Sequence, residues 1–172
     1  MGPVSAEVEI DAPRQVAFET IGDLAARPSF TDHFVTGFHL TRIDPAGIGA
    51  GARFRVEAPL AAFWMDTTID EIEPPHRIVE HGRGGRSNRV PSTTLWELTE
   101  GPGALTRVRV SFWTEPAHPL DRAKEVLTAS SVWLERDWRE ALRRLRDLLE
   151  AEAQAGDRVA VAGGNRHATG IP

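Results

Sequence analysis

The chain of 172 residues contains no cysteine. That excludes disulfides, thiolate metal centres and thiol nucleophiles, and it fits a cytoplasmic location. Tyrosine is also absent, which narrows the side chains available for acid–base chemistry. Lysine occurs only at Lys124, so arginine supplies nearly all the positive charge. The 20 cationic residues are outnumbered by 25 acidic ones, for a net charge of −5. A nucleic-acid surface needs a basic excess on one face, and none is present. No apolar run approaches the ~20 residues of a membrane-spanning helix. The N-terminal stretch has no basic region followed by an apolar run, so no signal peptide is expected. Ala6 stands where N-myristoylation would need Ser or Thr. No internal repeat appears. What remains is ordinary for a water-facing globular domain, with 41% hydrophobic and 26% charged residues. The length suffices for one domain with a real core, and a homodimer is compatible with it.

The most regular stretch is Pro119 to Gln154. Pro119 suits the first position of a helix, and Asp121 complements the helix dipole there. Leu120, Ala123, Leu127, Leu134, Trp138, Ala141, Leu145 and Leu148 form one apolar stripe. Opposite charges four apart line the other face: Glu135/Arg139, Arg136/Glu140, Glu140/Arg144, Arg143/Asp147 and Arg146/Glu150. Around Ala129, Ser130 and Ser131 the stripe shrinks to small side chains. After Gln154 the apolar residues are small and glycines frequent, which predicts a flexible tail over 155–172.

Val4, Ala6, Val8 and Ile10 alternate with polar residues and predict a first strand. Asp11 is placed to cap a short helix with Pro13 near its start, and Val16, Ala17, Ile21 and Leu24 give its apolar side. Pro28 disfavours helix at Arg27. A second helical turn follows over Ser29 to Phe34, anchored by Phe30 and Phe34. The period then changes to two. Strands are expected near 35–44, 52–59, 62–73, 76–83, 92–100 and 104–115, separated by glycine and proline turns. Short connections make the sheet antiparallel.

Parity assigns the faces. Arg53, Arg55, Asp66, Thr68, Asp70, Glu97, Arg107 and Arg109 face out. Phe54, Val56, Met65, Thr67, Ile69, Trp96, Leu98, Val110 and Phe112 face in. Trp64 and Trp113 fall on the outer face, exposed or covered by a partner. If Arg77 faces water, Glu80 points inward with Ile78. If Arg42 faces water, His39 points inward as well.

The order of strand, two short helices, six strands and one long helix resembles the START-like superfamily, which includes birch-pollen-allergen-like and polyketide cyclase/dehydrase-type proteins. The resemblance spans about residues 4–153. It is carried by Val8-Glu9-Ile10-Asp11-Ala12-Pro13 with Val16-Ala17-Phe18, by Gly47-Ile48-Gly49-Ala50-Gly51 before Phe54, by Pro74-Pro75-His76-Arg77-Ile78-Val79, and by the helix Arg136 to Leu149. It implies an α+β helix-grip fold: a curved seven-stranded antiparallel sheet wrapped around the long helix, as a single domain over 1–154. It also implies a cavity for a small apolar molecule, lipid or polyketide-like. The fold is shared as a container and not as a chemistry.

The residues expected to line that cavity are Phe54, Val56, Met65, Thr67, Ile69, Ile78, Trp96, Leu98, Val110 and Phe112 from the sheet. Leu127, Ser130, Ser131 and Leu134 come from the helix. Aromatic residues at strand spacing also make an ordinary core, so cavity and core compete for the same side chains. His39 and Glu80 are the two ionisable groups that parity places inside, and thus the candidates for acid–base work in an aromatase/cyclase-like enzyme. The plainer alternative puts Glu80 on the surface or at a wet cavity mouth. The six histidines show no short metal-ligand spacing, so neither metal nor cofactor is expected. Gly47, Gly49 and Gly51 precede a strand, where a phosphate loop would open a helix; they read as a hairpin turn. Arg83, Arg86 and Arg89 form a basic connection that could flank a cavity entrance. A third reading, a protein-interaction module, would use Trp64, Trp113 or the tail.

Overall fold

Alternating polar and apolar residues become strands in each stretch where the pattern predicts one. The structure, a computed structural model, describes residues 2–59, 62–85, 88–118 and 130–162, with the side chains of the last span described over 131–155. The strands are β1 (Val4–Ile10), β2 (Val35–Leu40), β3 (Gly51–Val56), β4 (Phe63–Glu73), β5 (Arg77–Gly84), β6 (Val90–Glu100) and β7 (Thr106–Thr114). The helices are α1 (Arg14–Gly22), α2 (Pro28–Thr31) and α3 (Ser130–Ala162). One antiparallel seven-stranded sheet runs in the order β1-β7-β6-β5-β4-β3-β2. From β2 to β7 each strand pairs with its sequence neighbour; β1 closes on β7 across the whole chain. The sheet curls into a half-barrel around α3, which is the helix-grip arrangement.

The start of the long helix expected at Pro119, with Leu120, Ala123 and Leu127, lies outside the described residues. From Ser130 on, the apolar stripe buries Leu134, Trp138, Ala141, Leu142, Leu145 and Leu149 against the sheet and α2. Leu149, not Leu148, closes the stripe. Each such leucine contributes about 1.5–3 kcal/mol by leaving water. The helix runs past Gln154 to Ala162, through alanines that favour it. The expected tail therefore begins inside α3, and 163–172 lie outside the described residues. Of the five charge pairs expected on the outer face, Glu135–Arg139 and Glu140–Arg144 form. Glu150 instead accepts a hydrogen bond from the Asp11 backbone N–H at 3.1 Å, tying the helix to the end of β1. Asp11 is therefore not the cap of α1, which starts after Pro13 with no side-chain cap. Phe18 takes the buried place expected of Val16, which is exposed.

The parity of β3, β6 and β7 holds throughout, and that of β4 holds to Asp70, where the register against β5 shifts and Ile72 becomes the next inward residue. β2 departs from it. Between Thr36 and His39 the register against β3 slips, and Gly37 sits at φ +57°. This glycine-led bulge puts two residues opposite one and restores parity one position late. Phe38 and Leu40 turn inward, and His39 turns out. The β-strand also ends at Leu40, so Arg42 says nothing about the face of His39. An alanine at position 37 would adopt a left-handed conformation, and its Cβ would meet the Trp64 ring at 3.2 Å. Gly37→Ala is expected to lower stability by about 1–2 kcal/mol, read as a drop in urea midpoint at constant slope; an unchanged midpoint would contradict the bulge.

On the outer face Trp64 is 42% exposed, with Arg53 stacked over its ring at 5.4 Å and His39 edge-on at 6.2 Å. Trp113 is half-buried and donates to Glu115 at 3.3 Å. Across the β1–β7 pair, Glu7 meets Arg109 at 2.7 Å and Glu9 meets Arg107 at 2.8 Å. The Arg109 hydrogen bond holds the Glu7 carboxyl below its ordinary range.

Candidate functional site

Strand register brings the inward side chains into rows. One row is Ile69, Glu80, Thr94 and Phe112 across β4, β5, β6 and β7. The row on one side of it holds Ile78, Trp96 and Val110; the row on the other holds Thr67, Gly82 and Ser92, followed by Met65, Gly84 and Val90. The inward series along β5 is therefore Ile78, Glu80, Gly82, Gly84, and along β6 it is Leu98, Trp96, Thr94, Ser92. Both shrink toward the same end of the sheet.

Burial follows that gradient. Ile69, Ile78, Trp96, Leu98 and Val110 are completely sealed, so these five expected cavity residues are core. Val56 and Met65 are buried but not sealed, and Thr67 (8%), Thr94 (9%) and Phe112 (7%) keep slight exposure. Phe54 is half-buried and stacks on Phe38, with centroids 5.6 Å apart and planes 9° from parallel. On α3, Leu134 is buried but Ser131 is exposed. Ser131 precedes Leu134 by three residues and Trp138 by seven, so all three share one helix face. That face is covered at Leu134 and open at Ser131. Leu127 and the Ser130 side chain lie outside the described residues, as do Arg86 and Ser87 of the basic connection.

Glu80 points inward and is 2% exposed. The carboxylate is fully engaged. Oε1 accepts from Arg27 Nη2 at 2.7 Å and from Trp96 Nε1 at 2.8 Å, and Oε2 accepts from Thr67 Oγ1 at 3.0 Å. Arg27 is the residue that sequence reasoning missed. It sits in the turn between α1 and α2, 6% exposed, and also donates to the Ile21 carbonyl at 3.0 Å. Its guanidinium lies 4.9 Å over the Trp96 ring. The signal was available: an inward carboxylate needs a cation or several donors, and Arg27 stands between Ala26 and Pro28 in an apolar stretch. The pair fastens the helical turn onto the sheet beside the completely sealed row of Ile78 and Trp96. His39 does not join it. It is exposed on the outer face, bonded through Nδ1 to the Gly37 carbonyl at 3.0 Å.

Nearby, His33 Nε2 lies 3.1 Å from the Asp137 carbonyl, linking the segment after α2 to α3. At the sealed end of the sheet, outside the inner face, an open groove of about 480 Å³ is lined by Asp11, Arg14, Glu100 and Thr106 among others. No group of His, Asp and Glu able to hold a metal ion occurs among the described residues, and no helix there is long and apolar enough to cross a membrane.

The family model described as polyketide cyclase / dehydrase and lipid transport matches residues 1–150. The chain belongs to that family. Several solved structures share the fold of this chain. The KanY protein superposes with a TM-score of 0.67 at 17% identity, over 87% of this chain and 99% of its own. DynU16, from the dynemicin biosynthetic locus, gives 0.56 at 21% identity over 87% of this chain, which spans 48% of DynU16. Major latex-like protein 151 from Panax ginseng gives 0.56 at 15% identity, over 80% of this chain and 95% of its own. No curated protein matches the chain.

Proposed function

We propose that this protein binds and carries a small apolar molecule, lipid-like or polyketide-like, in a hollow between the inner face of β3–β6 and the first turns of α3. The observation that carries this reading is the run of small inward residues toward one end of β5 and β6, Gly82, Gly84, Ser92 and Thr94, together with the exposure of Ser131 on the helix face that Leu134 and Trp138 bury. Apolar walls with few polar groups suit such a ligand. Family membership supports the same class of ligand. Acid–base chemistry there would need a free ionisable group. His39 faces outward and Glu80 is bound on both oxygens, so carriage is the reading the geometry supports best.

A ligand that binds only the folded form raises its melting temperature. Fatty acids, sterols and aromatic polyketides, each at about 100 times Kd, are expected to stabilise by about 2.7 kcal/mol where they fit. Thermal melts across that panel, with native mass spectrometry of the complexes, provide the test. Flat melts and no adduct in any class would sink the proposal.

A further inference from the structure

We propose that the ligand carries a flat aromatic ring system, held at the β2–β4 side of the inner face against Phe38 and Phe54. The inference rests on the ligand-binding reading above and adds the class of ligand. Of the seven phenylalanines, Phe18, Phe30, Phe34 and Phe112 are buried. Phe38, Phe54 and Phe63 are half-buried, although all three pack against the core from the inner side of the sheet. Sheet register makes them neighbours. Phe54 stands opposite Met65 and Phe63 opposite Val56 on the β3–β4 pair, and the Phe38 ring stacks on the Phe54 ring. A single half-exposed ring on the wet face needs no explanation. Three together on the inner face of a curled sheet mark a place where the chain leaves its own apolar surface uncovered.

The pair is arranged unlike the aromatic contacts of the sealed interior. Phe34 meets Trp138 at 72° and Trp96 meets Trp138 at 85°, both edge-on. Phe38 and Phe54 lie 9° from parallel with centroids 5.6 Å apart. In so parallel a pair, one face of each ring is turned toward the other. The surface that stays accessible is an outer face or a rim. Each of these accepts a further ring, by offset stacking at a face or edge to face at a rim.

The surroundings select against the other apolar classes. The charged neighbours on β3 turn to the outer face and pair there, Arg53 with Asp66 at 3.6 Å and Arg55 with Glu57 at 3.4 Å. No inward residue of β2, β3 or β4 is charged, so a fatty-acid carboxylate finds no cation on this flank. A saturated chain or a sterol gains only by covering apolar area. A π-system covers the same area and gains the ring–ring contact besides.

The test follows naphthalene and trans-decalin, which share one bicyclic carbon skeleton with and without a π-system, by displacement of a bound hydrophobic fluorophore. Phe54→Leu keeps an apolar side chain and removes the ring. It is expected to weaken naphthalene by about two- to tenfold, the worth of one aromatic pair, and trans-decalin by less than about twofold. In parallel, Met65 reports on the site, being one of two methionines and the residue opposite Phe54. Its methyl resonance in the unmutated protein is expected to shift under naphthalene well beyond any shift under trans-decalin, because only the π-system carries a ring current. Equal losses for the two ligands in Phe54→Leu, or equal shifts of the methyl, overturn the proposal and leave the carriage reading standing. Should Phe54→Leu not fold, the methyl resonance alone decides. A dimer in native mass spectrometry that Phe54→Leu dissociates would put a second copy on the rings and overturn the proposal as well. Binding of neither ligand removes the ligand-binding reading, and this proposal with it.

Discussion

Replacing either member of the buried ion pair alone, Arg27→Met or Glu80→Leu, is expected to lower stability by about 3–5 kcal/mol. For a chain of this size that corresponds to a fall in melting temperature of roughly 6–20 °C. The pair is 2.7 Å apart and both side chains are sealed from water. Removing Glu80 strands a guanidinium that cannot lose its proton. It also takes the acceptor from Trp96 Nε1 and Thr67 Oγ1. Removing Arg27 strands a carboxylate, which keeps two neutral donors and can take up a proton. Glu80→Leu is therefore expected to be the more damaging of the two. The double variant Arg27→Met/Glu80→Leu leaves no stranded charge, and it is expected to recover most of the loss. Urea unfolding of the four proteins measures the coupling. Additive losses, or a single variant within about 1 kcal/mol of the parent, would show that the pair does not hold α1 and α2 to the sheet, since breaking a buried pair costs several times that.

Most of the architecture was legible because one physical rule dominates a curled antiparallel sheet. Where a strand has a dry face and a wet face, charges on alternate positions reveal the register. Arg53 and Arg55 did so for β3, Asp66 and Asp70 for β4, and Arg107 and Arg109 for β7. The rule fails where an extra residue enters. Gly37 alone carries the sign of the β2 bulge, and its left-handed backbone cannot be read from alternation, so His39 was assigned to the wrong face. Glu80 lies inward, the conditional outcome of parity and not the plainer surface alternative, and its own strand has no such slip against β6. Its partner was not placed, because Arg27 lies 53 residues away in a turn with no periodicity to orient it. Long-range pairing of buried charges is set by how α1 and α2 dock, which single-strand patterns do not encode. The cavity list suffered differently. Parity tells inward from outward, and it cannot tell core from lining. That distinction came from reading inward residues across neighbouring strands: Ile78 beside Trp96 is completely sealed, and Gly82 beside Ser92 brings little side-chain volume.

That distinction yields the sharpest contrast between two substitutions. Leu145 lies at the sealed end of α3 and is completely buried. Leu145→Ala is expected to cost about 2–5 kcal/mol, because the surrounding core cannot collapse to fill the gap. Thr94→Phe is the reverse experiment at the open end. A large ring in a filled interior costs about 1–3 kcal/mol or more through displaced neighbours. In a hollow it has room, and the added apolar surface leaves water, so stability is expected to change by less than about 1 kcal/mol. The ring then occupies the space a ligand needs. Any ligand found by thermal shift is expected to lose at least about tenfold in affinity to Thr94→Phe, a loss of about 1.4 kcal/mol. Leu145→Ala, far from the lining, is expected to leave ligand affinity unaltered under conditions where it remains folded. If Thr94→Phe instead destabilises as an overpacked core would, and ligand affinity is untouched, then the small side chains of β5 and β6 are compensated by other atoms. The apolar ligand would then have to bind somewhere other than between the sheet and the helix.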